Sequence, residues 1–442
     1  MPARDTFPHS ACASAAPGLP NTLPDTLPDA APDRSPSDAA PSPTARRNRA
    51  AATADTGQGR DLPTPAFAEA FAQALLDWFA VHKRPLPWRF GYEPYSVWIS
   101  EVMLQQTQME RGVGYFLRWM TQFPDAASVA AASEDELLKA WEGLGYYSRV
   151  RNLHKAAKAL VERHGGELPD DPEAIRALPG IGPYTAGAIA GIAFNRDVTC
   201  IDANVERVLS RVFDIDTPVR AQPAAGRIRA LAAALLPPGR ARDFNQALME
   251  LGALVCRKKP QCASCPLASL CESLRLGIPH ERPVPGRKQP VTPLEVATGV
   301  LVHGGRIYIQ KRPDEGVWAG FWEFPGGCVE KDETPDAAIV REYAEETAFR
   351  IAVRDKLAVI RHGYTTYRVT LHCYLCTLDG EPGGSNGSGP SPASAPPAPP
   401  VLDAATEYRW VEFAELPRFT FPAGHRKLID QLTTDLRFAP YR

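Results

Sequence analysis

Hydrophobic positions first acquire a period at Phe67, Phe71, Leu75, Trp78 and Phe79, which share one face of a helix turning every 3.6 residues. From there to Cys271, apolar helical segments alternate with short Gly/Pro breaks, and strand-like alternation is almost absent. Residues 66–276 therefore read as an all-α domain. The period changes after a Pro-rich, basic linker at residues 277–293. VATGVLVH and RIYIQKR alternate as strands around a His303–Gly304–Gly305 turn, Thr334–Ala348 is helical again, and TTYRVTLHCYLCTL reads as a strand. Residues 294–442 thus form an α+β domain. Within it, residues 381–400 hold seven prolines with Gly and Ser and read as a flexible insertion between strands. Residues 1–65 show neither period, carry 12 prolines and only Phe7 as an aromatic, and read as a disordered tail.

Composition narrows the picture. A chain of 442 residues has room for two or three domains. Lys+Arg number 49 and Asp+Glu 51, net −2, which excludes a uniformly basic protein. The charge is split: residues 66–290 carry 27 basic and 24 acidic side chains, net +3, and residues 291–442 carry 16 and 20, net −4. The helical part is the better partner for a polyanion, although +3 alone is a weak argument. No apolar run approaches the roughly 18 residues of a membrane span. The basic cluster Arg46–Arg47–Asn48–Arg49 lacks a following apolar stretch, and Asp25, Asp29, Asp33 and Asp38 oppose a transit peptide. The expectation is a cytoplasmic location, at the nucleoid in a prokaryote. Nine cysteines are too sparse for a disulfide scaffold, but four crowd into 256–271, the mark of metal or cluster ligation in a reducing compartment.

Four motifs in the helical part carry chemistry. In Leu178–Pro–Gly–Ile–Gly–Pro–Tyr–Thr–Ala–Gly–Ala–Ile189, Gly180 and Gly182 allow backbone shapes a Cβ would block, and the next helix start offers N–H groups to a phosphate. A tight helix–helix turn would use the same residues. Asp202, in Ile201–Asp–Ala–Asn–Val205, suits a helix N-cap, a place where a carboxylate is helped to stay ionised and can stabilise a sugar cation. In Trp98–Ile–Ser–Glu–Val–Met–Leu–Gln–Gln–Thr–Gln108, the residues Glu101, Leu104, Gln105 and Gln108 fall on one helical face that resembles a pocket wall. Finally, Cys256-x5-Cys262-x2-Cys265-x5-Cys271 suits an iron–sulfur cluster or a structural zinc, and spacing alone does not separate the two. Arg257, Lys258 and Lys259 lie in its first loop, where a rigid centre would aim them at phosphates.

In this order, with Pro87–Trp88–Arg89, Ser100–Thr107, Gly143–Leu–Gly–Tyr–Tyr–Ser–Arg149 and Asp243–Gly252, residues 67–275 resemble the endonuclease III-type DNA glycosylases, and within them the MutY adenine DNA glycosylases. The resemblance implies a helix–hairpin–helix fold, a [4Fe-4S] cluster on the four cysteines, and a monomer that acts on double-stranded DNA. It implies removal of adenine mispaired with 8-oxoguanine, or with guanine, by base flipping. In that scheme Glu101 protonates the purine, Asp202 stabilises or captures the sugar cation, and Tyr184 and Asn204 support it. Arg89, Trp88 and Gln246 contact adenine. Leu104, Gln106, Thr107 and Tyr146 meet the DNA stack, with Gly180 and Gly182 in the hairpin. Bifunctional relatives place a lysine where Tyr184 stands, and a phenol forms no Schiff base, so strong lyase activity is not expected. The chain departs from the family in a first cysteine gap of five rather than six, and in Ala203 where Gly is usual.

Gly327-x5-Glu333-x7-Arg341–Glu342–Tyr–Ala–Glu345–Glu346–Thr–Ala348–Phe349 resembles the Nudix box, with Ala348 in place of its last glycine. Glu342, Glu345 and Glu346 would share one helix face, suited to Mg²⁺ or simply to solvent. An alanine where the backbone turns left-handed costs around 1 kcal/mol or forces another loop. The resemblance implies a domain that recognises 8-oxoguanine in DNA, with Tyr364–Thr365–Thr366 as the contacting stretch. Rival readings are a Nudix pyrophosphohydrolase with an accessory DNA-binding half, a non-catalytic lesion binder, and a thymine-mismatch glycosylase.

Overall fold

The structure, a computed structural model, describes residues 62–287, 290–364, 366–379 and 397–441. The expected tail falls almost wholly outside the described residues, as do Thr365 and most of the expected insertion. In chain order the α-helices of five or more residues are α1 (Pro65–His82), α2 (Pro94–Leu104), α3 (Met109–Gln122), α4 (Ala126–Ala131), α5 (Glu134–Trp141), α6 (Ser148–His164), α7 (Pro172–Arg176), α8 (Pro183–Ala188), α9 (Ala203–Val212), α10 (Ala224–Leu235) and α11 (Ala241–Leu254), with a single turn at Glu272–Arg275 after them. Strands follow: β1 (Thr292–His303), β2 (Arg306–Lys311), β3 (Trp322–Glu323) and β4 (Gly326–Cys328). After them come α12 (Pro335–Thr347), β5 (Ile351–Tyr364), β6 (Tyr367–Leu378), β7 (Glu407–Val411) and α13 (Ala423–Leu432). The described residues gather into two compact units, 62–120 with 159–286 and 121–158 with 287–441.

In the first unit, the apolar face read at the start of α1 is the centre of the core. Phe71, Leu75 and Phe79 pack with Val205 and Leu209 of α9, Ile228 and Leu231 of α10, and Phe244, Leu248 and Leu251 of α11. Gly252 lets α11 close on α9: a Cβ there would stand 2.5 Å from that of Asn204. The expected face through Gln108 is not continuous. The helix α2 stops at Leu104, because Gln106 takes a left-handed backbone (φ +58°), and α3 begins only at Met109.

In the second unit, strands β3-β2-β1-β6-β5 form a mixed sheet, with β4 on β1 and β7 on β2. β1 and β6 run parallel, with Val296 opposite Leu371, and the other pairs are antiparallel. The alternation in β1 sends Val300 and Val302 to the α13 face and Ala297 and Leu301 to the α12 face. Sequence reading missed the 14-residue β5, which carries Arg354, Asp355, Lys356 and Arg361 among its apolar residues and so lacks a clean period of two. Ala348 keeps the left-handed turn (φ 59°, ψ 9°) expected of a glycine, so the loop is conserved in shape at a backbone cost.

Candidate active site

Glu101 is 8% exposed, in the middle of α2 between Trp98, Val102 and other buried apolar residues. Its Oε2 accepts a 2.6 Å hydrogen bond from the Tyr184 hydroxyl in the first turn of α8. Burial pushes the Glu101 carboxyl up to about 7; Tyr184 opposes that shift, and the negative field of Asp202 adds to it. Burial, with the nearby carboxylates, drives the Tyr184 phenol well above its ordinary value, so it stays a donor.

Asp202 is the N-cap of α9, its Oδ1 accepting from Val205 N–H at 2.8 Å and its Oδ2 from the Asn204 amide at 2.7 Å. Burial raises its pKa, and these two donors with Arg207 push back. Arg207 reaches further: it donates to Asn204 Oδ1 (2.6 Å), Gly252 O (2.9 Å) and Cys256 O (2.7 Å). A chain of hydrogen bonds therefore runs from Asp202 to the first cysteine. A cavity of about 540 Å³ opens beside it, lined by Asn204, Arg207, Arg257, Lys258, Lys259 and Gln261 among others.

Arg89 and Gln246 meet directly, Arg89 Nε donating to Gln246 Oε1 at 2.9 Å. Arg89 also donates to Arg84 O and to Glu250 Oε2, both at 2.9 Å. Glu250, which sequence reasoning left without a role, is 2% exposed and also takes Arg84 Nε at 2.7 Å and Nη2 at 3.0 Å. Burial works to raise Glu250, but the two arginines outweigh it and hold the carboxyl below its ordinary value. Its signal was present: it lies four residues after Gln246 on one face of α11. Trp88 is 6% exposed and packs edge-on against Phe116 at 5.1 Å, so most of its ring faces the core.

Gln106 is exposed on its left-handed backbone, Leu104 is half-buried beneath it, and Thr107 N–H closes on Leu104 O at 3.2 Å. Tyr146, in the other unit, is also exposed and left-handed (φ +48°). In the hairpin, Gly180 takes φ +71°, a position that requires glycine. Gly182 does not: it is the N-cap of α8 at φ −83° and ψ 176°, extended backbone open to any residue.

Cys256, Cys262, Cys265 and Cys271 are half-buried free thiols. Burial raises Cys262, Cys265 and Cys271, and the negative fields of neighbouring thiols add to it. The Arg211 guanidinium, 2% exposed as a residue, donates to Cys256 Sγ at 3.2 Å and to Arg257 O at 2.7 Å. Among the described residues, no three His, Cys, Asp or Glu side chains stand close enough to hold a single metal ion.

On α12 the three glutamates do not act as one face. Arg341 donates to Glu342 Oε1 (2.9 Å), Glu345 Oε2 (3.1 Å) and both oxygens of Glu333 (3.0 Å). Glu346 turns inward to Gln310 Nε2 at 2.9 Å, and burial with the negative fields of Glu323 and Glu342 pushes it up to about 8. Thr366, at the β5–β6 turn, accepts Thr292 N–H on its carbonyl at 2.8 Å.

Residues 99–238 match the model of the HhH-GPD superfamily of base excision DNA repair proteins, and residues 297–431 match that of the NUDIX domain. An adenine DNA glycosylase of Mus musculus is 34% identical over 368 residues, spanning 71% of this chain and 72% of the relative. That of Homo sapiens is 33% identical over 369 residues, spanning 71% and 68%. That of Buchnera aphidicola subsp. Baizongia pistaciae is 34% identical over 258 residues, spanning 58% and 73%. With a helix–hairpin–helix repair half followed by a Nudix-like half, and likeness running through both, this chain belongs to the adenine DNA glycosylases, which remove adenine from DNA in base-excision repair.

Proposed function

We propose that this glycosylase removes adenine paired with 8-oxoguanine, or with guanine, by acid-assisted hydrolysis of the N-glycosidic bond. One observation carries the reading: a buried carboxyl, Glu101, and a half-buried one, Asp202, lie within electrostatic reach and are hydrogen-bonded differently. Glu101, at about 7, is close to half protonated at neutral pH and can donate a proton to the purine ring. Asp202, with two hydrogen-bond donors and the α9 N-terminus behind it, is the carboxylate better held as an anion. It would face the cation that develops on the sugar as the base departs, with Asn204 fixing its rotamer and Tyr184 orienting Glu101. The flipped adenine would exchange the Arg89–Gln246 hydrogen bond for contacts to its own edge, over Trp88. Gln106 and Tyr146 would fill the stack, with Leu104, Thr107 and the Gly180–Gly182 hairpin on the backbone.

The four cysteines fit a [4Fe-4S] cluster: all four are half-buried within the 256–271 loop, and the buried Arg211 guanidinium donates to Cys256 Sγ, a donor suited to an anionic centre. When bound it would cross-link the 256–271 loop and hold Arg257, Lys258 and Lys259 toward phosphates. In the Nudix-like domain, Arg341 already bonds oxygens of Glu333, Glu342 and Glu345, so a cation would have to displace it, and we read the domain as recognising the oxidised base near Tyr364–Thr366 rather than hydrolysing nucleotides with Mg²⁺. A monomer working at the chromosome completes the reading.

The test is incubation with duplexes holding A:8-oxoguanine, A:G, T:G and A:T, followed by alkaline cleavage of abasic sites. Release from the first two alone is expected. Release of thymine, or turnover of 8-oxo-dGTP with Mg²⁺, would overturn it.

A further inference from the structure

The α5–α6 connection belongs to the same compact unit as the Nudix-like domain and presents Tyr146. Its shape is locked from inside. Gly143, Gly145 and Tyr146 all have left-handed backbones (φ +94°, +74° and +48°). The Arg149 guanidinium, buried over the Trp141 ring at 5.2 Å, donates to the carbonyls of Leu144 (3.3 Å), Gly145 (2.9 Å) and Tyr146 (3.4 Å). Trp141 Nε1 donates to Gly145 O at 3.2 Å. An exposed aromatic on so constrained a backbone is held in place for a purpose.

The Nudix-like domain grips both ends of this loop. At its start, Glu142 Oε1 accepts from Arg426 Nε at 2.8 Å and from Phe421 N–H at 3.4 Å, and Lys139 holds the other oxygen at 2.6 Å. At its end, the Tyr147 ring meets the buried Phe321 edge-on at 4.5 Å, while its hydroxyl accepts Gly143 N–H at 3.1 Å. Flanking these, Lys311 pairs with Asp135 at 3.0 Å, and Arg151 joins Glu134 (2.6 Å) to the carbonyl of Ala319. Arg426 lies in the first turn of α13, and α13 rests on β5, where a Cβ on Gly424 would come within 3.1 Å of His362. His362 stands two residues before Tyr364. A path of contacts thus runs from His362 on β5, just before the turn assigned to the oxidised base, to the loop that carries Tyr146.

We propose that Glu142 and Tyr147 are positioning residues through which the Nudix-like domain sets the Tyr146 loop, so that reading the base opposite adenine is coupled to insertion of Tyr146 into the stack. This rests on the assignment of Tyr146 as a stack-filling residue. Spatial continuity alone does not establish coupling, and a double-mutant cycle does. In the full chain, affinities would be measured for A:8-oxoguanine and A:G duplexes whose adenosine carries a 2′-fluoro group that blocks cleavage. A 2-aminopurine beside the lesion reports local unstacking. Arg426→Gln should lower the preference for 8-oxoguanine about tenfold and blunt the fluorescence rise, with Arg426→Lys restoring most of both. Combined with Tyr146→Ala it should add nothing to the loss that Tyr146→Ala causes alone. Tyr147→Leu breaks the other grip and serves if Arg426→Gln unfolds. Additive losses, or an unchanged fluorescence rise in both grip variants, would overturn the coupling and leave Tyr146 in its role. Full preference in Tyr146→Ala would remove Tyr146 from the stack, and the coupling with it.

Discussion

The acids of the helical half and the acids of the Nudix-like half are the same side chains in different company. Glu101 is buried beside a phenol and near a second carboxylate, with no hydrogen-bonded cation, and its pKa rises to about 7. Glu342 and Glu345 are bridged by Arg341, which spends its guanidinium on them and on Glu333. Burial raises Glu342 despite Arg341, and Glu346, whose carboxylate accepts from Gln310, is pushed up to about 8, so the balance of lost water against nearby charge sets each carboxyl in both halves. Glu250 makes the same point within the helical half: as buried as Glu101, but held by two arginines, it is depressed.

The largest effect expected from this contrast is on chemistry. Glu101→Gln should keep duplex affinity and lower single-turnover base release by roughly 10²-fold or more, since the general acid is lost and the pocket shape stays. With Glu101 as the proposed general acid, release in the wild type requires its protonated form. Its rate should therefore fall as pH rises through about 7 and, on the acid side, fall as Asp202 protonates. A rate that is flat from pH 6 to 9 would exclude Glu101 as the acid.

Arg207→Met comes next. It removes the bridge between Asn204 and the Cys256 carbonyl and leaves Asp202 less firmly oriented. A loss of about 1–3 kcal/mol of positioning corresponds to a fall in rate of roughly 5- to 150-fold with little change in affinity. An unchanged rate would sever the cysteine loop from the catalytic carboxylate.

Stability should move the other way. Because the native pKa of Glu101 lies above its ordinary value, the folded state holds its proton longer than the unfolded chain. The associated stability is complete at low pH and is lost as pH rises through about 7. Glu101→Gln removes that loss, so it should be about 1 kcal/mol or more stabler than wild type at pH 8 and show little gain at pH 5, by urea denaturation. Ala348→Gly should stabilise the Nudix-like domain by around 1 kcal/mol, because the left-handed turn is already in place. Smallest of all, Glu345→Gln should leave adenine release within about twofold of wild type, since its carboxylate is 43% exposed and tied to Arg341. A large loss there would erase the contrast.

Much of this was legible in the residues. The apolar spacing of α1, the cap at Asp202, the hairpin glycine Gly180 and the acidic run on α12 each announced a local structure whose rules operate within a few residues. Gly182 and Gln108 show where such rules stop, because an extended cap and a left-handed Gln106 are chosen by what the chain does next. Glu250 and Trp88 show the same limit from the other side: a motif names residues without saying which face inward.

By itself, then, the sequence determined the two domain types, the order of their motifs and the identity of the acids, since these depend on period, spacing and residue chemistry along the chain. Only the tertiary structure decided how tightly each acid holds its proton. Burying Glu101 against Tyr184 while bringing Arg84 and Arg89 to Glu250, and Arg341 to Glu342, is a matter of residues distant in the chain or oriented by packing. A carboxyl's proton affinity follows from the water it has lost and the charges it has met.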